Sequence, residues 1–322
     1  MASEHGHSPD KSIYYVPDQS KYPLFTAMAV AVMLVGVATW LNNLHAHRPS
    51  SPAILIGGFL VLSVVLLQWF GATIRENLKG LNNDQLKRSY RMGMQWFIFS
   101  EVMFFFTFFG GFFYVRTLVG PWLSGEGVGH FTNTLLWQGF NFQWPMLETP
   151  QQAVGIANQL IANNGVFDGA EKDLGWPGFS KAFEGHWLPL WNTIFLVTSS
   201  VTCEIAHHAL KAGNRNKFIA LLGVTLILGF SFVALQALEY HEAYTEMGLT
   251  LKSGIYGTTF FMLTGFHGFH VCLGAFILLV MFLRALKGHF NKDDHFGFEA
   301  ASWYWHFVDV VWLFLVAVVY VY

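Results

Sequence analysis

The chain has 322 residues, of which 53% are hydrophobic, 17% aromatic and only 12% charged. Soluble domains carry about a quarter charged residues, so the solvated surface such a domain needs is missing and lipid is the expected solvent. A net charge of −2 gives no basic field for gripping nucleic acid, and two cysteines, Cys203 and Cys272, each inside an apolar run, argue against a disulfide framework or a paired-thiol metal site.

Met1–Lys21 is polar and has no signal-peptide pattern. A helix needs about 20 apolar residues to cross the hydrocarbon layer. Runs of that kind lie at Leu24–Leu44, Ala53–Ile74, Met94–Leu118, Leu188–Leu210, Phe218–Ala243, Ile255–Leu286 and Ser302–Tyr322. They predict seven transmembrane helices, because backbone polar groups in lipid must be paired within the segment and the runs do not alternate as barrel strands do. Val119–Trp187 is rich in Gly, Asn, Gln and Pro and has no run long enough to span. It is expected outside the membrane, with one short amphipathic helix around Gln151–Asn163. The predicted organisation is a single membrane domain: a tail at 1–23, three helices at 24–118, the external insertion at 119–187 and four helices at 188–322. No internal repeat of 20–50 residues is visible.

Charge sets the orientation. With seven spans, the N-terminal tail and alternate loops share one side, which holds thirteen of the eighteen Lys and Arg residues, among them Arg75, Lys79, Lys87, Arg88, Arg91, Lys211, Arg215, Lys217 and Arg284. The other side holds Arg48, Arg116, Lys172, Lys181 and Lys252. The excess predicts a cytoplasmic N-terminus and a C-terminus on the opposite face.

Ionisable groups within the spans need a reason to be there. Glu101 lies ten residues past Arg91, about 15 Å along a helix and so near the bilayer centre. Phe97, Phe104, Phe105 and Phe108 share its helical face and cannot pair with a charge, so hydrocarbon favours the uncharged acid unless another helix brings a partner. His207 and His208 lie late in the fourth run, Glu239 in the fifth, His267 and His270 in the sixth, and His306 and Asp309 in the seventh. Imidazoles on facing helices can hold haem. These carboxylates, with Gln236, Tyr240 and Tyr304, offer as many hydrogen-bond partners, and interhelical polar pairs are the commoner use of such groups. We therefore read His207, His208, Glu239, His267, His270, His306 and Asp309 as a structural polar network. Gly110, Gly111, Gly229, Gly254, Gly257, Gly265, Gly268 and Gly274 are expected to let backbones approach closely. No phosphate loop, CxxC, HExxH or nucleophile elbow is present.

Four segments carry a resemblance: GMQWFIFSEVMFFF (Gly93–Phe106), LGFSFVALQALEY (Leu228–Tyr240), SGIYGTTFFMLTGFHGFHVCLG (Ser253–Gly274) and HFGFEAASWYWHFVDVVWLF (His295–Phe314). PLWNT at Pro189–Thr193 and AHH at Ala206–His208 add to them. Together they resemble subunit III of cytochrome c oxidase, over all seven runs and outside the Val119–Trp187 insertion. The resemblance implies an all-α, seven-helix membrane bundle whose helices 1–2 stand apart from helices 3–7 across a lipid-filled cleft. It implies no catalytic residue, metal or cofactor in this chain, with haem and copper in partner subunits. Subunit I is the implied direct partner, with subunit II and, as a further candidate, subunit IV in the same complex. Glu101 matches the family's intramembrane glutamate, and Trp69, Arg75, Glu76 and Arg284 fall where the family contacts phospholipid headgroups. The implied role is to support proton uptake into subunit I and to protect it from turnover inactivation.

Departures from the pattern are Gly71 and Ala72, where many members carry a charged pair, Ile205 in place of a common tryptophan, and Glu204, an added acid one turn before His208. The long insertion resembles bacterial members and points to a bacterial inner membrane, with the C-terminus periplasmic. Related alternatives are an accessory subunit of a quinol oxidase or nitric oxide reductase, but those relatives commonly lack the first two spans. A proton-coupled transporter using Glu101, Glu239 and the histidines would be expected to show repeats in matching halves, which are not seen.

Overall fold

A computed structural model of the protein describes residues 20–81, 84–146, 149–154, 175, 177–184, 187–292 and 295–322. Seven long helices, numbered here in chain order, dominate it: α1 Tyr22–His45, α2 Ala53–Leu78, α3 Asp84–Tyr114, α4 Leu188–Lys211, α5 Arg215–Thr245, α6 Gly254–Leu286 and α7 Phe296–Leu315. No strand occurs among the described residues. Six of the seven are long and apolar enough to cross a membrane, α4 being the exception although it spans 24 residues. The chain is therefore a multi-pass, all-helical membrane protein.

The helix bounds follow the apolar runs, with three differences, one being that α7 begins at Phe296, six residues before the predicted Ser302. α3 begins at Asp84, ten residues before the predicted Met94, because its first turns are polar and no apolar run marks them. Past Tyr114 and Leu315 the coils widen to π-turns at Val115–Val119 and Val316–Val321. Within the insertion, Gly120–Leu123, His130–Leu136, Pro150–Val154 and Phe179–Glu184 are short helices. The helix expected around Gln151–Asn163 is described only as far as Val154, and its remainder lies outside the described residues.

The chain divides into two compact units, Met1–Met92 and Gly93–Tyr322. In the first, α1 and α2 pair antiparallel at very close range. A Cβ on Gly36 would meet the backbone of Leu55 at 2.6 Å, and one on Gly58 would meet Met33 at 2.9 Å. These two positions are what the small-residue packing of membrane helices requires here.

In the second unit α4 and α5 form an antiparallel hairpin. Gly213, at φ +76°, supplies the left-handed residue that ends α4. The Gly213 and Asn214 N–H groups donate to the Leu210 and Ala209 carbonyls at 3.0 and 2.9 Å. The Asn214 side chain then accepts from the Lys217 N–H at 3.2 Å and starts α5. Arg215 reaches across and donates to the last carbonyls of α6, at 2.8 Å to Leu286 and 3.3 Å to Ala285. A cation at a helix C-terminus meets carbonyls that have no partner within the helix.

Trp305 of α7 is fully buried at the centre of this unit. A Cβ on Gly229 of α5 would meet its ring at 2.8 Å and one on Gly274 of α6 at 2.9 Å, so the indole fills the space these glycines leave. Gly110, Gly111 and Gly268, expected to do the same, have nothing within 4 Å of a Cβ. The interior is mainly apolar but also holds Asn192, Ser199, Thr225, Glu239, Thr264 and His267, while Phe106, Ile227, Phe269 and Leu313 point outward. A soluble bundle would carry polar side chains on that outer surface; in lipid, apolar ones cost nothing there.

Candidate functional site

Glu101 of α3 has a partner that its own helix cannot supply. His270 of α6 places Nε2 2.8 Å from Glu101 Oε2. The other ring nitrogen, Nδ1, lies 2.6 Å from the carbonyl oxygen of Phe266, one turn back on α6. A carbonyl only accepts, so Nδ1 carries a proton and donates it. The bond between Nε2 and Oε2 therefore contains one further proton, resident on the carboxyl or on the imidazole. In either state the pair is neutral as a whole, and that makes a carboxyl group tolerable at bilayer depth. The rings of Phe105 and Phe104 stand 5.0 and 6.0 Å from the imidazole and exclude water on that side. Glu101 is 21% exposed and His270 only 9%, so the carboxyl is the outer member of the pair.

The other polar residues named from sequence form separate groups rather than one network. Glu239 of α5, fully buried, accepts from the Tyr320 hydroxyl at 2.5 Å and the Asn192 amide at 3.3 Å. His267 meets the Val308 carbonyl through Nε2 at 3.2 Å and stacks on Trp312 at 5.1 Å between centroids. His306 lies 2.6 Å through Nδ1 from Ser200 Oγ and 3.9 Å from Asp309 Oδ2. Glu204 stands 3.2 Å from His208 and 3.4 Å from His306, bridging α4 and α7. His207 packs its ring 5.7 Å from those of His295 and Phe298. Among the described residues no group of three or more His, Cys, Asp or Glu side chains could hold a metal ion.

The residues matched to lipid contact fall in both units. Trp69, Arg75 and Glu76 belong to the first, where the Trp69 indole stacks on Tyr22 with 6.2 Å between centroids and Arg75 is exposed. Arg284 belongs to the second, with its guanidinium 4.7 Å over the Phe290 ring at the charge-rich end of α6. A cation at such a helix end can meet a lipid phosphate.

Sequence reasoning missed several participants. Asn192 and Tyr320 hold Glu239, and Ser199 accepts from the Trp305 indole at 3.0 Å. Arg116, counted only as a surface charge, donates to the Tyr322 carbonyl and lies 3.9 Å over the Tyr322 ring. It tethers the end of α3 to the C-terminus beside a cavity of about 530 Å³ lined also by Trp144 and Tyr256. Each of these pairs joins distant stretches of chain, and the one usable signal was Asn192 within PLWNT.

Comparison with known proteins agrees with this architecture. The family model described as cytochrome c oxidase subunit III matches residues 12–124 and 169–322. The unmatched stretch, 125–168, is narrower than the expected insertion at 119–187. Among curated relatives, cytochrome c oxidase subunit 3 of Scyliorhinus canicula is 39% identical over 308 residues, covering 95% of this chain and 96% of the relative. The proteins of that name from Squalus acanthias, 38% identical with the same coverage, and Coturnix japonica, 35% identical over 94% of each chain, agree. With the family matched on both sides of the insertion and relatives aligned over nearly their whole length, this chain belongs to the cytochrome c oxidase subunit III family and so forms part of an oxidoreductase complex.

Proposed function

We propose that the chain is the non-redox subunit III of a proton-pumping cytochrome c oxidase, bound directly to subunit I and assembled with subunit II. The supporting observation is the Glu101–His270 pair, which holds one proton between two titratable groups at 2.8 Å in an aromatic setting. The proton can pass between the carboxyl and the imidazole without changing the net charge of the pair. In this reading the pair supports proton delivery to subunit I, while His207, His208, Glu239, His267, His306 and Asp309 hold the helices together. Phospholipid headgroups are held at Trp69, Arg75 and Glu76 in the first unit and at Arg284 in the second. The lysine and arginine excess supports a cytoplasmic N-terminus, and the insertion supports a bacterial inner membrane with a periplasmic C-terminus.

The reading predicts that an oxidase lacking this chain still reduces oxygen but inactivates sooner during turnover. Successive oxygen-consumption traces of the complex with and without the chain measure this. Equal active lifetimes contradict the protective role.

A further inference from the structure

At the lysine- and arginine-rich end of the second unit, the α4–α5 turn, the end of α6 and the loop after it enclose a cavity of about 470 Å³. Its floor is apolar. Leu210 and Phe218 are buried, and Phe290 packs edge-on against Phe218 with 6.2 Å between ring centroids. Its rim is cationic, supplied by Arg215 and Lys292, with the Asn291 amide beside them.

Arg215 is fixed in place. Its Nη2 donates to the Leu286 and Ala285 carbonyls at 2.8 and 3.3 Å, and the turn at Gly288 lies against the guanidinium, where a Cβ would stand 3.6 Å from Nη2. A guanidinium has more N–H donors than these two bonds use, so Nη1 and Nε can still serve a ligand. Lys292 is exposed and comes from the loop after α6, so it adds a charge on a flexible stem. The surrounding sequence keeps the rim positive: Lys211, Arg215, Lys217, Arg284, Lys287 and Lys292 outnumber the acids Asp293, Asp294 and Glu299.

Charge and size together narrow the ligand. A phosphate group presents oxygens to a guanidinium fork and to an ammonium at the same time, which a single carboxylate does less well. The cavity falls within the range of roughly 300–1,000 Å³ usual for small-molecule sites. An inorganic anion would leave the apolar floor bare, so the ligand carries an organic portion as well. We infer that this cavity binds an organic phosphate, with the phosphate held between Arg215 and Lys292 and the organic portion on Leu210, Phe218 and Phe290. Two sources offer that chemistry, a lipid headgroup and a soluble phosphate ester. The site is separate from the headgroup contact at Arg284, which is not among the described residues lining the cavity.

The test uses the intact complex purified through a tag on this chain and washed in detergent. Wild type is compared with Lys292→Glu and Lys292→Gln, and with Lys217→Gln as a control for general surface charge at the same helix end. Equilibrium dialysis counts bound glycerol 3-phosphate. Mass spectrometry counts the lipid retained after equilibration with mixed vesicles of phosphatidylglycerol and phosphatidylcholine. The expected result is saturable binding by wild type, weakened roughly tenfold by Lys292→Glu and less by Lys292→Gln, with Lys217→Gln close to wild type. Loss of glycerol 3-phosphate binding in Lys292→Glu identifies a soluble ester. Loss of phosphatidylglycerol enrichment, with no binding of the soluble probe, identifies a lipid headgroup. Equal binding of both probes by wild type and Lys292→Glu, or equal losses in Lys292→Glu and Lys217→Gln, overturns the inference. Lys292 is exposed, so thermal unfolding of its variants is expected to match wild type. Binding is counted per tagged chain, so this result stands apart from the oxidase reading.

Discussion

Replacing His270 with leucine is expected to destabilise the chain by about 3 kcal/mol, because the Glu101 carboxyl loses its cross-helix partner at 2.8 Å while the hydrocarbon around it stays. Glu101→Gln should cost about 1 kcal/mol or less, since the amide can still donate to Nε2 while the Nδ1 bond to Phe266 persists. The double variant Glu101→Leu/His270→Leu should lie closer to wild type than the sum of its single changes, as expected when two residues share one interaction. Thermal unfolding in detergent measures all of these. Additive effects, or equal losses for His270→Leu and Glu101→Gln, would show that the 2.8 Å contact carries no coupling. Assembly should survive Glu101→Gln, with only a modest change in proton-linked behaviour. Lost assembly would make the carboxyl structural.

A larger loss is expected from Trp305→Ala, about 3–5 kcal/mol, which is the range for deleting a fully buried aromatic side chain. The indole is enclosed by Gly229 and Gly274, whose lack of side chains leaves nothing able to collapse into the space. Its Nε1–H also donates to Ser199 Oγ, so truncation removes that bond and leaves the hydroxyl only its own donation to the Leu196 carbonyl. Trp305→Phe should recover part of the packing but not the hydrogen bond, and therefore fall between. A Trp305→Ala protein that melts within about 1 kcal/mol of wild type would mean that α5, α6 and α7 do not meet on this ring.

The membrane helices were legible because a bilayer imposes length and apolarity that a single sequence displays. α5 and α6 begin and end within a few residues of their apolar runs. The start of α3 was not legible, because Asp84–Arg91 is helical but polar, and hydropathy marks the bilayer rather than the helix. Contacts within a helix could be read: Glu204 and His208 are four residues apart, and they meet at 3.2 Å. Contacts between helices could not. Glu101 and His270 are 169 positions apart, and the helical face of Glu101, read alone, held only phenylalanines. The same limit hid Tyr320 from Glu239 and His306 from Glu204. Glycines were legible as small but not as to what they face, which is why Gly274 packs on Trp305 while Gly268 faces open space.

The central claim is that this chain works as a cofactor-free member of a haem–copper oxidase. Mild-detergent purification through a tag on this chain, followed by an optical spectrum and identification of co-purified polypeptides, tests it most directly. The expected result is a haem–copper subunit recovered with the chain, and a Soret band that disappears when the chain is stripped away and examined alone. A haem spectrum retained by the isolated chain, or its recovery with no oxidase subunit, would contradict the account.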